Sequence, residues 1–135
     1  MSDRITELTM MVPLLEACPS FAPQWTEFLE EWSTSDDKPL YIVLGTLACH
    51  CVAMLAAGDV AGLSRIFAVV ERWHLEGDSF VKQAATIGFL ETLQNTNIHE
   101  STTPEQFEPF LLPESSRWWR KVERFWEYGE LITDD

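Results

Sequence analysis

The stretch FAVVERWHLEGDSFVKQAATIGFLETLQN, residues 67–95, dictates more of its own shape than any other part of the chain. Leu63, Ile66, Phe67, Val70 and His74 recur at the three-and-four spacing that aligns side chains along one face of an α-helix. Gly77 ends that helix. Asp78 is placed to cap the next one, its carboxylate accepting from the unpaired amides of the following turn. So short a corner makes the two helices antiparallel neighbours. In the second, Ser79, Lys82, Gln83 and Thr86 form a narrow polar stripe. Phe80, Val81, Ala84, Ala85, Ile87, Leu90 and Leu93 cover the rest, so this helix must be buried on most sides.

The flanking segments read as partners for that hairpin. Residues 5–17 show helical spacing at Ile5, Leu8, Val12 and Leu15, with Pro13 either kinking the helix or marking its start; both options bury the same face. Ala22-Pro23 opens a second helix with Trp25, Phe28, Leu29 and Trp32 inward and Glu27, Glu30 and Glu31 outward. A polar loop holding Asp36 and Asp37 follows. Residues 39–58 carry no charge and are long enough to cross a bilayer. Thr46, His50, the acidic flanks and the need of the Trp-rich faces for an apolar partner argue instead for the central helix of a bundle. Gly45, Ala48 and Ala53 are expected to let neighbours approach it closely. Gly58 stops this helix and Asp59 caps the next.

Beyond Asn95, Thr103-Pro104-Glu105-Gln106 has the form of a capping box and predicts a short helix ending near Pro109. Leu112-Pro113-Glu114 opens the last helix, where Trp118, Trp119, Val122, Phe125 and Trp126 form an aromatic stripe ending at Gly129. No segment alternates polar and apolar residues, and no Asn-Gly or Asp-Gly hairpin turn occurs. The class is therefore all-α: a compact bundle of about six to seven helices in a single domain, residues 1–135. Its parts are a central helix at about 39–58, a hairpin at about 59–95 and an aromatic helix at about 113–128. The hairpin resembles a HEAT-type helix pair, through Asp78, Val81, Lys82, Ala84 and Ala85. A solenoid would need at least about three such units.

LLEACPSF at 14–21, AVVERWHLEGDSFVKQAATIGFLETLQN at 68–95 and RWWRKVERFWE at 117–127 together resemble a family of small bacterial proteins classed only as a domain of unknown function. The resemblance implies a shared helical fold and carries over no catalytic residue.

Twenty-two acidic residues against nine basic ones give a formal charge of −13. Such a field repels nucleic acid and anionic membrane and favours a cationic partner, while its plain reading is solubility alone, which leaves the choice of partner open. Cys18, Cys49 and Cys51 are an odd number with no secretory signal before them, the pattern of free thiols in a reducing cytoplasm. The apolar run Met10 to Leu15 ahead of Cys18 is too short for a signal-peptide core.

Three patterns suggest chemistry, and each has a plainer reading. Cys49-His50-Cys51 cannot converge on one ion, because successive helical residues point about 100° apart; the plain reading is small core residues. Glu71-x-x-His74 matches one ligand pair of di-iron bundles, but no second pair exists, which leaves a hydrogen-bonded interface histidine. Arg117, Arg120, Lys121 and Arg124 share a stripe beside aromatic residues, a pattern of nucleic-acid contact; the plain reading is a solvated face or an intramolecular patch for the acidic helix at 27–31, with Glu123 and Glu127 spaced to pair with Arg120 and Arg124. No phosphate loop, nucleophile elbow or zinc spacing occurs.

The expectation is thus an acidic interaction protein, not an enzyme, with neither cofactor nor metal, of immunity or regulatory type. It would bind a basic partner through Glu27, Glu30, Glu31, Asp36 and Asp37. The alternatives are a small-ligand bundle with a pocket near His50, which Trp and Met side chains would line, and an enzyme with a dispersed site.

Overall fold

The computed structural model describes residues 4–34 and 39–133. Among these the fold is all-helical. The helices are α1 (Met11–Ala17), α2 (Ala22–Glu31), α3 (Leu40–Ala56), α4 (Val60–Glu76), α5 (79–93) and α6 (Pro113–Tyr128), joined in places by 3₁₀ turns. α5 is continuous but not uniform: Ser79–Gln83 is α-helical, Ala84–Leu90 is π-wound, and Glu91–Leu93 returns to α. No helix among the described residues is long and apolar enough to cross a membrane.

α3 is the central element. It packs along the π-wound part of α5 and also meets α2 and α4, and it buries Val43, Leu44, Leu47, Ala48 and Cys51. Close approach comes from the other side of the contact than expected. A Cβ added to Gly45 would meet nothing within 4 Å and Ala53 is exposed, whereas a Cβ on Gly88 of α5 would touch Tyr41 and Leu44 at 3.0 and 3.1 Å.

The 77–78 corner forms as the residue pattern predicts. Asp78 accepts from the Val81 amide at 3.0 Å, and Asp59 caps α4 by accepting from the Gly62 amide at 3.0 Å. The contacts His74 with Thr86 and Phe67 with Phe89 pair earlier residues of α4 with later ones of α5, so the two helices run antiparallel. Gly77 is needed for space rather than for a left-handed turn. Its backbone is extended (φ −75°, ψ 154°), and a Cβ there would collide with the Trp73 carbonyl and the Val81 side chain. Gly58 does adopt φ +77°, while the Asp59 amide reaches back to the Met54 carbonyl, a left-handed helix stop.

The N-terminal segment departs from the expected helix over 5–17. Ile5 forms a parallel bridge with Gly77: its amide donates to Glu76 O and its carbonyl accepts from the Asp78 amide, both at 2.9 Å. The α-helix starts only at Met11, so Pro13 falls in the first turn, where its missing N–H costs nothing. The buried face is Met10, Met11 and Leu14, and Leu8 and Val12 are exposed. A buried bond from Trp73 Nε1 to the Met10 carbonyl (2.9 Å) fixes this register.

The capping-box segment forms a 3₁₀ helix, Pro104–Phe110, with the Thr103 amide donating to Gln106 Oε1 at 2.7 Å. The aromatic stripe of α6 is only partly a core face. Trp118, Trp119 and Val122 are buried, but Phe125 and Trp126 overhang the bundle and are exposed.

Candidate functional site

Two regions carry the chain's remaining chemistry. The first is a buried polar cluster where α4, α5 and α6 meet. α6 opens at Leu112-Pro113, and Leu112 offers no side-chain cap for its amides. Glu71 of α4 supplies the acceptor from across the interface. Its Oε2 accepts from the Glu114 amide at 2.9 Å, and its Oε1 accepts from the Ser115 amide at 2.8 Å and the Ser115 hydroxyl at 2.9 Å. A carboxylate at a helix N-terminus also meets the positive end of the helix dipole.

Those bonds set the protons of the neighbouring groups. Ser115 Oγ spends its hydrogen on Glu71, so at 3.1 Å it accepts from His74 Nδ1–H. Burial lowers the His74 pKa from 6.5 to about 4, opposed by the Glu71 carboxylate and the Val70 carbonyl, so at neutral pH the ring is uncharged with its proton on Nδ1. Nε2 then carries the lone pair and accepts from the Thr86 hydroxyl at 3.1 Å. This chain of bonds joins α4 to α5 and α6; with Ser115 fully buried and its hydrogen on Glu71, it does not present a serine nucleophile. The His74 reading from the residue pattern, a hydrogen-bonded interface histidine, matches this geometry.

Over the cluster runs a groove of ≈ 630 Å³ between α5 and α6. His74, Thr86 and Trp118 line it, Lys82 and Arg117 stand on its two walls, and Ile132 and Thr133 of the returning tail also line it. The polar stripe Ser79, Lys82, Gln83, Thr86 is thus one wall of a groove. Arg117 is oriented by Glu114, whose Oε1 accepts from its Nε at 3.2 Å and Nη2 at 2.8 Å, and from Trp118 Nε1 at 3.2 Å. The Arg117 hydrogen bond leads in holding the Glu114 carboxyl below the usual range. Lys121 Nζ lies 4.4 Å from the Trp118 ring centre and donates to the Thr133 carbonyl.

The second region is the outward face of α2. Glu27, Glu30 and Glu31 are exposed there, and the opposite side packs Phe28, Trp25, Leu29 and Trp32 against the core. Asp36 and Asp37 lie outside the described residues. The ion pairs among the described residues are Arg72–Glu76 and Arg117–Glu114, so none involves the α2 glutamates. The spacing of Glu123 and Glu127 against Arg120 and Arg124 likewise yields no ion pair there.

The cysteine cluster disperses. Cys51 is buried, with its thiol pKa pushed well up by burial, while Cys49 is exposed, contrary to the reading of both as core residues. His50 is half-buried; its Nε2 meets Ser20 Oγ at 3.0 Å, and it does not line the groove. The groove between α5 and α6 lies not at His50 but at His74. Two signals pointed there: a carboxylate inside the apolar run of α4, and a final helix without a cap of its own.

A family model described as a domain of unknown function, DUF7674, matches residues 11–127. The chain belongs to that family. The match spans all six helices of the DUF7674 fold except the last residue of α6, and leaves out the segment that carries Ile5. No curated protein and no solved structure matches the chain.

Proposed function

We propose that this DUF7674 protein is a non-enzymatic acidic interaction module, of immunity or regulatory type, that captures a basic protein through the outward face of α2. The observation that carries the reading is that Glu27, Glu30 and Glu31 stand exposed on one helix face, with no ion pair to any described residue. Paired surface carboxylates would be partly neutralised within the molecule. These contribute their full charge to a field already set by a formal −13. Because the helix is anchored by its other face, a partner can dock here without disturbing the core. The cytoplasm suits such a protein, given its free thiols.

The test uses paired pull-downs from the native host with the wild-type chain and a Glu27→Lys, Glu30→Lys, Glu31→Lys variant. A basic protein retained by the first and lost by the second supports the reading. Its association rate must also fall as salt rises, since steering acts across a Debye length of about 8 Å at physiological ionic strength. Capture that survives the reversal, with a rate indifferent to salt, overturns it.

A second reading, a small-ligand bundle, is favoured by the groove above His74. Its ≈ 630 Å³ lies within the about 300–1,000 Å³ typical of ligand sites.

A further inference from the structure

The nine cations of this chain are unevenly placed: Lys82, Arg117, Arg120, Lys121 and Arg124 all belong to α5 and α6. Two of them, Lys82 of α5 and Arg117 of α6, line the groove. Lys82 has no ion-pair partner among the described residues. Arg117 points Nε and one Nη2 hydrogen at Glu114 Oε1, which leaves its Nη1 hydrogens and the second Nη2 hydrogen uncommitted by that pair. Glu114 therefore holds the guanidinium in place without exhausting it. Counting Lys82 and Arg117 against Glu114, the groove walls carry one net positive charge, on a protein that elsewhere repels anions.

We propose that the groove between α5 and α6 is a binding site for a small organic monoanion, its carboxylate received between Lys82 and the free Nη donors of Arg117. Gln83 and Ser79 line the same groove and add hydrogen-bonding groups beside that position. Ile87 and Ile132 line the same groove and give the apolar body of the ligand a place to lie. The charge balance selects the ligand class. A phosphate dianion would bring a second negative charge toward the Glu114 carboxylate, and an uncharged ligand would leave Lys82 partly desolvated without compensation. The floor does not compete for the anion, since His74 is neutral and its nitrogens are both engaged by Ser115 and Thr86. This site is separate from the α2 face, and neither proposal depends on the other.

The probe is benzoate, with benzamide as its uncharged isostere and inorganic phosphate as the rival anion. Each is titrated into ¹⁵N-labelled protein while the Trp118 Nε1–H and Gln83 side-chain signals are followed. Benzoate is expected to shift both signals saturably, in the millimolar range suited to so small a ligand. Benzamide and phosphate should each bind at least about tenfold more weakly, as should benzoate to Lys82→Gln, with the unfolding temperature of that variant unchanged. Equal binding of benzoate and benzamide, tighter binding of phosphate, an unaffected Lys82→Gln variant, or no saturable shift at all would each overturn the proposal.

Discussion

The cluster under α6 and the outer face of α2 use carboxylates in opposite ways. Glu71 is 8% exposed and accepts three hydrogen bonds, so its charge is spent on holding two helices together. Glu27, Glu30 and Glu31 are exposed and take part in none of the ion pairs described, so their charge is spent on the field outside the molecule. The same functional group is structural where it meets orphan amides and electrostatic where it meets water. The difference lies in whether a helix end lacking its own cap is within reach, not in the acid.

The largest effect is expected for a carboxylate placed where neither condition holds. Leu47→Asp puts an unpaired charge at a fully buried position of α3, at a cost comparable to the whole stability of such a domain, about 5–15 kcal/mol. Loss of the helical circular-dichroism signal is the expected result, and a folded variant would show that α3 is not the centre of the core.

Glu71→Ala comes next. It strands the Glu114 and Ser115 amides at the start of α6 and should cost about 3–4 kcal/mol by denaturant titration. A loss below about 1 kcal/mol would mean that water replaces the carboxylate and that the two kinds of acid are not distinct.

The third test is pH. The folded-state pKa of His74 is lowered from 6.5 to about 4, so between those values the unfolded chain takes up a proton that the folded one refuses. The contribution is complete above about 6.5 and is lost as pH falls to about 4, roughly 3 kcal/mol in all. Glu71, Glu114 and Arg117 are the charged groups that act on the imidazole, and the two carboxylates soften the loss. Stability measured at pH 7 and pH 5 should differ less in His74→Gln than in wild type. An unchanged difference would place the acid sensitivity elsewhere.

The smallest effect on folding belongs to the triple reversal of Glu27, Glu30 and Glu31, within about 0.5 kcal/mol of wild type, although its effect on partner capture should be large. A marked loss of stability would instead assign these residues to the fold.

Much of the fold was legible because its signals are local. Asp59 and Asp78 announce helix starts, Gly58 a stop, and the uncharged run at 39–58 can only be a core helix once a bilayer is rejected. The readings that failed depend on contacts distant in sequence. Nothing near Ile5 says that it bridges to Gly77, and that bridge moves the start of α1 and turns Leu8 and Val12 outward. The length of α6 beyond the bundle, which exposes Phe125 and Trp126, depends on where its neighbours end. The candidate site was half legible: the polar stripe on α5 and the pair Glu71 and His74 stood out singly. That they meet at Ser115 depends on the missing cap on α6, a signal by omission.

The π-wound segment of α5 puts the two ends of that helix out of phase with each other. Each extra residue taken up by the wider winding turns the rest of the helix by about 100° relative to an unbroken α-helix. Thr86, within the segment, faces His74, while Gln94, just beyond the helix, donates to the Trp119 carbonyl at 2.9 Å. Wound as one straight α-helix, the same residues would not aim both at their partners. Deleting Ile87 should therefore cost little beyond one half-buried side chain, because it removes the residue that the wide winding takes up: the segment can close to ordinary α-winding with Leu93 still in the core and Gln94 still on the Trp119 carbonyl, holding α6 at its middle while Glu71 grips its start.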